Sequence, residues 1–104
     1  MAVKIDTMLT EDETLITVEG DVDLYSSPEL RKTLLRAVPK SKDGVVVVLA
    51  NVSYMDSSGV ATLVEGLRSA KEHGKRFALL TPSVAVMKVL ELARLDSVFD
   101  VRSD

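Results

Sequence analysis

Two adjacent serine hydroxyls follow a carboxylate in the string Asp56-Ser57-Ser58-Gly59. Side-chain oxygens at the start of a helix accept hydrogen bonds from backbone N–H groups that have no partner within the helix. A serine hydroxyl is also a nucleophile when a base activates it, and a phosphoryl acceptor when a kinase reaches it. The string therefore fits either a plain helix cap or a functional site, and the cap is the more common use.

The segments on both sides of this string predict how it is presented. Residues 45–50 form a short, apolar, mostly β-branched run, which is typical of a strand buried on both faces of a sheet. Residues 51–55 break that pattern, and we interpret them as a link. Apolar residues then recur with helical spacing, at Val60, Leu63, Val64, Leu67 and Ala70. A buried strand followed by a helix places its loop at the carboxyl edge of a sheet, where open α/β folds carry their sites.

The position of the single histidine argues against hydrolytic catalysis. His73 falls at the far end of the helix that begins near Ser57, so the helical rise separates the two residues by about 24 Å. A nucleophile and its base must instead lie within hydrogen-bond reach. We interpret His73 as a solvent-facing residue at the carboxyl end of its helix, and we expect no catalytic residues.

Cofactor and metal sites are not indicated either. The chain has no G-x-x-x-x-G-K-[ST] motif, although the free N–H groups at a helix start could hold a nucleotide phosphate or another anion. A metal site would require Asp21, Asp23 and Asp56 to converge. With one histidine and no cysteine in the chain, such a site could bind only a hard cation. We expect neither a cofactor nor a metal.

Modification by another enzyme is the remaining chemistry for this loop. A kinase can reach a serine at an exposed helix start, and the phosphate would add about −1.5 to −2 charges next to Asp56. The helix dipole offsets part of that charge, so the fold should survive. A partner pressed against the same surface would be repelled, and a cost of about 4 kcal/mol weakens binding roughly a thousandfold. The pattern favours phosphorylation-controlled binding.

The composition limits the location and the partners. The 104 residues make one domain, residues 1–104, and the absence of cysteine excludes disulfides. The net charge of −3 argues against a nucleic-acid surface. No apolar stretch approaches the roughly 20 residues that span a bilayer, and residues 1–6 lack the features of a signal peptide. We expect a cytoplasmic protein that binds neither nucleic acid nor membrane and is a monomer when free.

The first third of the chain predicts a hairpin and a helix. Residues 3–8 alternate in polarity and residues 15–18 are largely apolar, with four polar residues between them, which indicates an antiparallel pair that ends at Gly20. Ser27 is expected to cap the following helix, with Pro28 at its first position and Pro39 closing it.

The remainder alternates strands and helices. The helix after Asp56 is expected to run over residues 57–73, with Thr62 among its outward side chains and Gly74 as its stop. Residues 76–80 predict a strand, and Thr81 is expected to cap a helix over residues 82–93. Residues 98–101 predict a short closing strand, and residues 102–104 are expected to fray. The order indicates an α/β fold with a mixed sheet whose parallel strands are joined by helical crossovers.

Three parts of the chain together resemble a known family. Tyr54-Met55-Asp56-Ser57-Ser58-Gly59-Val60, preceded by the apolar strand, resembles the signature of the STAS domain in bacterial anti-sigma factor antagonists. Gly20-Asp21-Val22-Asp23 and Pro82-Ser83-Val84 extend the resemblance over nearly all of the 104 residues. It implies a STAS-like mixed β-sheet, an N-terminal hairpin followed by β-α repeats, with helices largely on one face. One departure is Arg94, which stands where the family usually has glycine, so that Arg94 must adopt a left-handed conformation or the helix must end differently.

The resemblance implies a non-enzymatic partner switch. The serine directly after the aspartate would be phosphorylated, which is Ser57 here, with Ser58 as the second choice. The partner would be an anti-sigma factor that is itself a serine kinase; it would bind the unphosphorylated chain and release the phosphorylated one, and a phosphatase would reset the switch. The expected partner-binding residues are Asp21, Asp23, Tyr54, Asp56, Ser57, Ser58, Gly59 and Thr62.

Two alternatives stay open at this point. Small STAS proteins also serve as subunits of lipid-transport ABC systems, or of partner-switching pathways without a sigma factor, and there the hydroxyl position can be structural. The alternative from a different class is a module that binds a nucleotide or another anion at the helix start.

Overall fold

The computed structural model describes residues 3–103, which form one five-stranded sheet and three helices. The elements are β1 (Val3–Leu9), β2 (Glu13–Val22), α1 (Ser27–Lys40), β3 (Gly44–Met55), α2 (Ser57–Glu72), β4 (Arg76–Leu80), α3 (Val84–Leu92) and β5 (Asp100–Arg102). The strand order is β1-β2-β3-β4-β5; β1 is antiparallel to β2, and the other pairs are parallel. The predicted mixed α/β sheet is therefore confirmed.

The order of the strands fixes the side on which the helices lie. Each helical crossover moves one strand further in the same direction, and right-handed crossovers then bring all three helices to one face of the sheet. The buried apolar side chains gather between this face and the helices. They include Ile16, Val18 and Val22 of β2, Val45, Val47 and Leu49 of β3, Leu30, Leu34 and Val38 of α1, and Leu63 and Ala70 of α2.

The central strand is longer than predicted, and residues 51–55 belong to it rather than to a link. Thr17 is opposite Val48, whereas Val22 is opposite Met55, so β3 uses two more residues than β2 over the same length of sheet. Such extra residues are β-bulges, which interrupt the alternation of side chains and bend the strand. This interruption is why the sequence pattern looked irregular there. Gly20, expected to end β2, lies inside it with a positive φ of 96°.

The first helix begins and ends differently from the prediction. Ser26, not Ser27, is the N-cap residue, and Ser27 is already helical and buried. Pro39 lies inside the last turn rather than closing the helix, because Ser41 continues the pattern by donating its N–H to the carbonyls of Ala37 and Val38.

The third helix is shorter than predicted. It is capped by Ser83, whose hydroxyl accepts the Val86 N–H, while Thr81 adopts a left-handed φ of 48° and donates its N–H to the Arg102 carbonyl. Arg102 belongs to β5, which starts at Asp100, and it pairs with Leu80 of β4, so the prediction of a frayed end is wrong for Arg102; residue 104 lies outside the described range. Arg94 has φ 59°, the left-handed conformation that the sequence offered as one option.

Within residues 3–103, none of the helices combines the length and the apolar character that crossing a bilayer requires.

Candidate functional site

Asp56 organises the start of α2 at the carboxyl edge of the sheet. It is the N-cap residue with extended backbone angles, and its Oδ1 accepts the N–H of Ser58 at 2.9 Å and that of Gly59 at 3.3 Å. Its own N–H donates to the Val22 carbonyl at 3.2 Å, which ties the helix start to the end of β2. The carboxylate thus satisfies helix N–H groups that would otherwise have no partner.

The two serines after Asp56 are in different environments. The Ser58 side chain is partly buried, and its hydroxyl donates to Asp56 Oδ1. Ser57 is the first residue of α2 and is exposed, and its hydroxyl forms no hydrogen bond within the described part of the chain. The helix start therefore presents one engaged hydroxyl and one free hydroxyl.

Asp23 builds the turn that follows β2. Its Oδ1 accepts the N–H groups of Tyr25 and Ser26, both at 3.0 Å, and its own N–H donates to the Ser26 hydroxyl at 2.9 Å. The same hydroxyl donates to the Asp21 carbonyl at 2.8 Å, so both aspartates take part in the turn. The Ser26 N–H holds the pKa of the Asp23 carboxyl below its ordinary value, against the opposing effect of desolvation.

Gly59 and Thr62 face inward rather than towards a partner. A Cβ at Gly59 would lie 2.6 Å from Met55 Cγ and 2.9 Å from Val22 Cγ1, so the absence of a side chain lets α2 sit closely on the two strand ends. Thr62 is only 4% exposed, and its hydroxyl donates to the Ser58 carbonyl at 2.9 Å. The expectation that Thr62 points outward is wrong, because it lies on the side of α2 that faces the core.

Exposed apolar side chains flank the phosphorylation candidate. Leu24 (68% exposed) and Tyr25 (90%) lie in the turn after β2, and Tyr54 (52%) lies just before the helix start. Because β2 and β3 end side by side, these residues share one edge of the sheet with Ser57. We call Leu24, Tyr25, Tyr54 and Ser57 the switch surface. Leu24 and Tyr25 were not among the partner-binding residues predicted from the sequence, although two large apolar residues inside a turn were a visible signal.

A shallow groove continues beyond Tyr54 towards α3. It is lined by Tyr54, Met55, Ala85, Lys88, Val89 and Leu92, and Leu92 is 77% exposed. The apolar surface at this edge therefore extends past the helix start.

The other residues considered from the sequence do not form a second site. Among residues 3–103, no three histidine, aspartate or glutamate side chains converge in a way that could hold a metal ion. His73 is exposed at the carboxyl end of α2, with its Nδ1 2.8 Å from the Ser69 carbonyl, as expected. Asp21 lies opposite Tyr54 in the register of β2 and β3, so Asp21, Asp23 and Asp56 share an edge, although Asp21 and Asp23 belong to the turn after β2 and Asp56 caps α2.

The sequence is similar to one described domain family and to named regulators. The family model described as "Mlab, STAS domain" matches residues 5–101. An anti-sigma-B factor antagonist of Staphylococcus epidermidis is 31% identical over 101 residues, which cover 97% of this chain and 94% of the relative. An anti-sigma-B factor antagonist of Bacillus subtilis is 27% identical over 101 residues, covering 97% and 92%.

Solved structures share the fold. An anti-sigma factor antagonist from Mycobacterium paratuberculosis has a TM-score of 0.86 at 19% identity, over 96% of this chain and 85% of that one. The Bacillus cell fate determinant SpoIIAA in its phosphorylated form has a TM-score of 0.72 at 23% identity, over 95% of this chain and 89% of that one.

Proposed function

The chain belongs to the STAS domain family of anti-sigma factor antagonists, and on that premise we propose that it is a phosphorylation-controlled partner switch. In its unphosphorylated form it binds an anti-sigma factor that is also a serine kinase, which frees the sigma factor. Phosphorylation of Ser57 releases the chain from that partner. The chain itself catalyses nothing; it supplies the acceptor hydroxyl.

The difference between Ser57 and Ser58 carries this proposal. Ser57 is exposed and its hydroxyl has no partner in the described part of the chain, whereas Ser58 donates to Asp56 and is partly buried. A kinase must bring a hydroxyl in line with the γ-phosphate of ATP, which requires that the hydroxyl be accessible. Ser57 meets this condition. Ser58 could meet it only by breaking its hydrogen bond to Asp56.

The phosphoryl transfer needs nothing from the chain beyond this hydroxyl. The Ser57 oxygen forms a bond to the γ-phosphorus of ATP, the bond from that phosphorus to ADP breaks, and a base of the kinase takes the hydroxyl proton. A phosphatase reverses the state by hydrolysis, which restores the hydroxyl and releases inorganic phosphate. The SpoIIAA structure named above, solved in a phosphorylated form with the same fold, supports a scaffold that tolerates such a group.

The location of Ser57 explains how one phosphate can control binding. The positive end of the α2 dipole offsets part of the added charge, so the domain stays folded. The neighbouring Asp56 carboxylate, however, already accepts two helix N–H groups, so the new anion enters a site that holds a negative charge. A partner covering the switch surface would have to desolvate both charges, which costs several kcal/mol.

The apolar residues of the switch surface supply the attraction that the phosphate opposes. Tyr25 and Tyr54 present aromatic rings to solvent, and aromatic side chains often contribute most of the binding energy at protein interfaces. Because Tyr25 and Tyr54 share one edge of the sheet with Ser57, a partner that covers this edge would also cover the hydroxyl. The kinase therefore binds the unphosphorylated surface, and the phosphorylated product no longer fits it.

Phosphate mapping with the kinase tests the assignment. The wild-type chain and its Ser57→Ala and Ser58→Ala variants are incubated with ATP, Mg²⁺ and the kinase that copurifies with the chain from its own cells. We expect intact-mass spectrometry to show one phosphoryl group on the wild type and on Ser58→Ala, and none on Ser57→Ala. Peptide sequencing should place the group on Ser57.

A binding measurement separates the switch from the alternatives. Ser57→Ala should bind the kinase as the unphosphorylated wild type does, whereas Ser57→Asp should stay folded and bind the kinase more weakly. Phosphate on another residue, or equal binding by all three chains, would contradict the switch. Heat of binding with free nucleotides in calorimetry would instead favour the anion-binding alternative.

A further inference from the structure

The strand β1 lies at the edge of the sheet and is paired on one side only. Its seven residues, Val3–Leu9, pair with β2, and no other element among residues 3–103 pairs with its outer edge. An edge strand of this length presents a row of unpaired N–H and C=O groups, which is a template for another strand. The side chains of β1 determine which partner strand can pair there.

The hairpin shows which backbone groups of β1 point outward. The Thr10 N–H donates to the Glu13 carbonyl at 2.8 Å, and the register continues with Leu9 opposite Thr14. In an antiparallel pair, hydrogen-bonded and non-hydrogen-bonded residues alternate. Lys4, Asp6 and Met8 therefore exchange hydrogen bonds with β2, and the N–H and C=O groups of Val3, Ile5 and Thr7 face away from the sheet.

The charges on β1 are arranged symmetrically about Ile5. Lys4 and Asp6 point to the face without helices, with side chains 70% and 64% exposed. Their ammonium and carboxylate groups are 4.0 Å apart, a surface pair that contributes little to the stability of the fold. In a second antiparallel strand with the same sequence the order of the two charges is reversed, so Lys4 of one strand can lie opposite Asp6 of the other.

We propose that the chain forms a homodimer in which β1 pairs antiparallel with β1 of a second copy, on a two-fold axis through Ile5. In this register Lys4 lies opposite Asp6 of the second copy, and Asp6 lies opposite its Lys4. The outward groups of Ile5 bond to those of the second Ile5, and Val3 and Thr7 bond to each other across the axis. The two sheets join into one of ten strands.

The neighbouring registers do not share this match. An axis moved by one residue places Lys4 opposite Lys4, or Asp6 opposite Asp6, and like charges directly opposite each other destabilise a strand pair. An axis at Thr7 places Asp6 opposite Met8 and leaves both charges unpaired. Only the register centred on Ile5 brings opposite charges together, so the charge pattern selects one dimer.

The proposed dimer leaves the switch surface open. The two-fold axis runs perpendicular to the joined sheet, so the parallel strands of the two copies point in opposite directions. Ser57 follows the carboxyl end of β3 in each copy, and the two serines therefore lie at opposite ends of the assembly. The dimer does not depend on the proposed switch, and it departs from the expectation of a monomeric free chain, which rested on the sequence alone.

Charge reversal tests the register. Sedimentation velocity over a concentration series should show the wild-type chain shifting from monomer to dimer. Lys4→Asp places four carboxylates at the axis and Asp6→Lys places four ammonium groups there, so we expect each to raise the dimer dissociation constant about tenfold or more. An equal mixture of the two variants should associate as the wild type does, because every pair is then of opposite sign. The double variant K4D/D6K should also recover.

A backbone variant tests the pairing without using charge. The Ile5 N–H faces outward, so Ile5→Pro removes two hydrogen bonds from the symmetric dimer, one from each copy, and none from the β1–β2 pair. We expect it to be a monomer with a wild-type circular dichroism spectrum. A wild-type chain that stays monomeric at every concentration would overturn the proposal. So would single charge variants that dimerise as well as the wild type, or a variant mixture that stays monomeric.

Discussion

Ser58 and Asp56 are joined twice, since the Ser58 N–H and the Ser58 hydroxyl both donate to the same carboxylate oxygen, Asp56 Oδ1. A single oxygen thus caps the helix and engages the second serine. The first serine, Ser57, is left exposed beside them. The structure therefore assigns different tasks to two residues that are chemically identical.

The two serines should differ in their contribution to stability. Ser58→Ala removes a hydroxyl that bonds to Asp56, so we expect the free energy of unfolding to fall by about 0.5–1.5 kcal/mol. Ser57→Ala removes an exposed hydroxyl, so its effect should stay within about 0.5 kcal/mol. Urea denaturation followed by circular dichroism measures both values. Equal losses for the two variants would contradict the assigned environments.

Asp56 should matter for the fold as well as for the partner. Asp56→Ala removes the acceptor for two helix N–H groups, and we expect it to lower the free energy of unfolding by about 0.5–2 kcal/mol. Asp56→Asn keeps an oxygen at the same position and serves as the matched control, which should lose less. An alanine variant as stable as the asparagine variant in urea denaturation would show that the cap is unimportant.

The turn at Asp23 should weaken at low pH. The Ser26 N–H lowers the pKa of the Asp23 carboxyl, so the folded state favours the ionised form more than the unfolded state does. The resulting stabilisation is fully present above the unfolded-state pKa and is lost as the pH falls through the folded-state pKa. A carbon-detected NMR titration should find the Asp23 pKa below that of an ordinary aspartate. The stability difference between the wild type and Asp23→Asn should shrink as the pH falls through that range, and a pH-independent difference would contradict the assignment.

Replacing Arg94 should stabilise the protein. Arg94 has φ 59°, a left-handed conformation that is strained for residues with a Cβ and that glycine adopts without strain. We expect Arg94→Gly to raise the free energy of unfolding by about 1 kcal/mol in urea denaturation. Arg94→Ala removes the same charge but keeps the Cβ, so it should show no such gain. If both variants gained equally, the charge rather than the backbone would be responsible.

Much of the fold could be predicted because its elements are marked by local patterns. The run at residues 45–50 and the apolar stripe from Val60 to Ala70 each identify one element, and alternation of strands and helices then fixes the parallel part of the sheet. The position of Asp56 before Ser57 also predicted the helix start, because a side chain that caps a helix acts within three residues.

What could not be predicted depends on contacts between distant segments. The bulges in β3 exist only with respect to β2, so residues 51–55 carried no recognisable strand pattern. Ser26 replaces Ser27 as the N-cap residue without capping a helix N–H through its side chain, because its hydroxyl is engaged by Asp21 and Asp23 in the preceding turn. Thr62 was expected outside because its side chain is polar, yet its hydroxyl bonds to the preceding turn and can be buried.

The two extra residues of β3 also constrain how such a domain can change length. They keep Leu49, Val52 and Met55 on the inner face while delivering Asp56 to the end of β2. Deleting a single amino acid between Leu49 and Met55 would place the side chains that follow it on the opposite face of the sheet. It would also move the helix start away from the Val22 carbonyl. A chain that keeps this site can therefore exchange many of these amino acids, but we expect it to tolerate neither a gap nor an insertion among them.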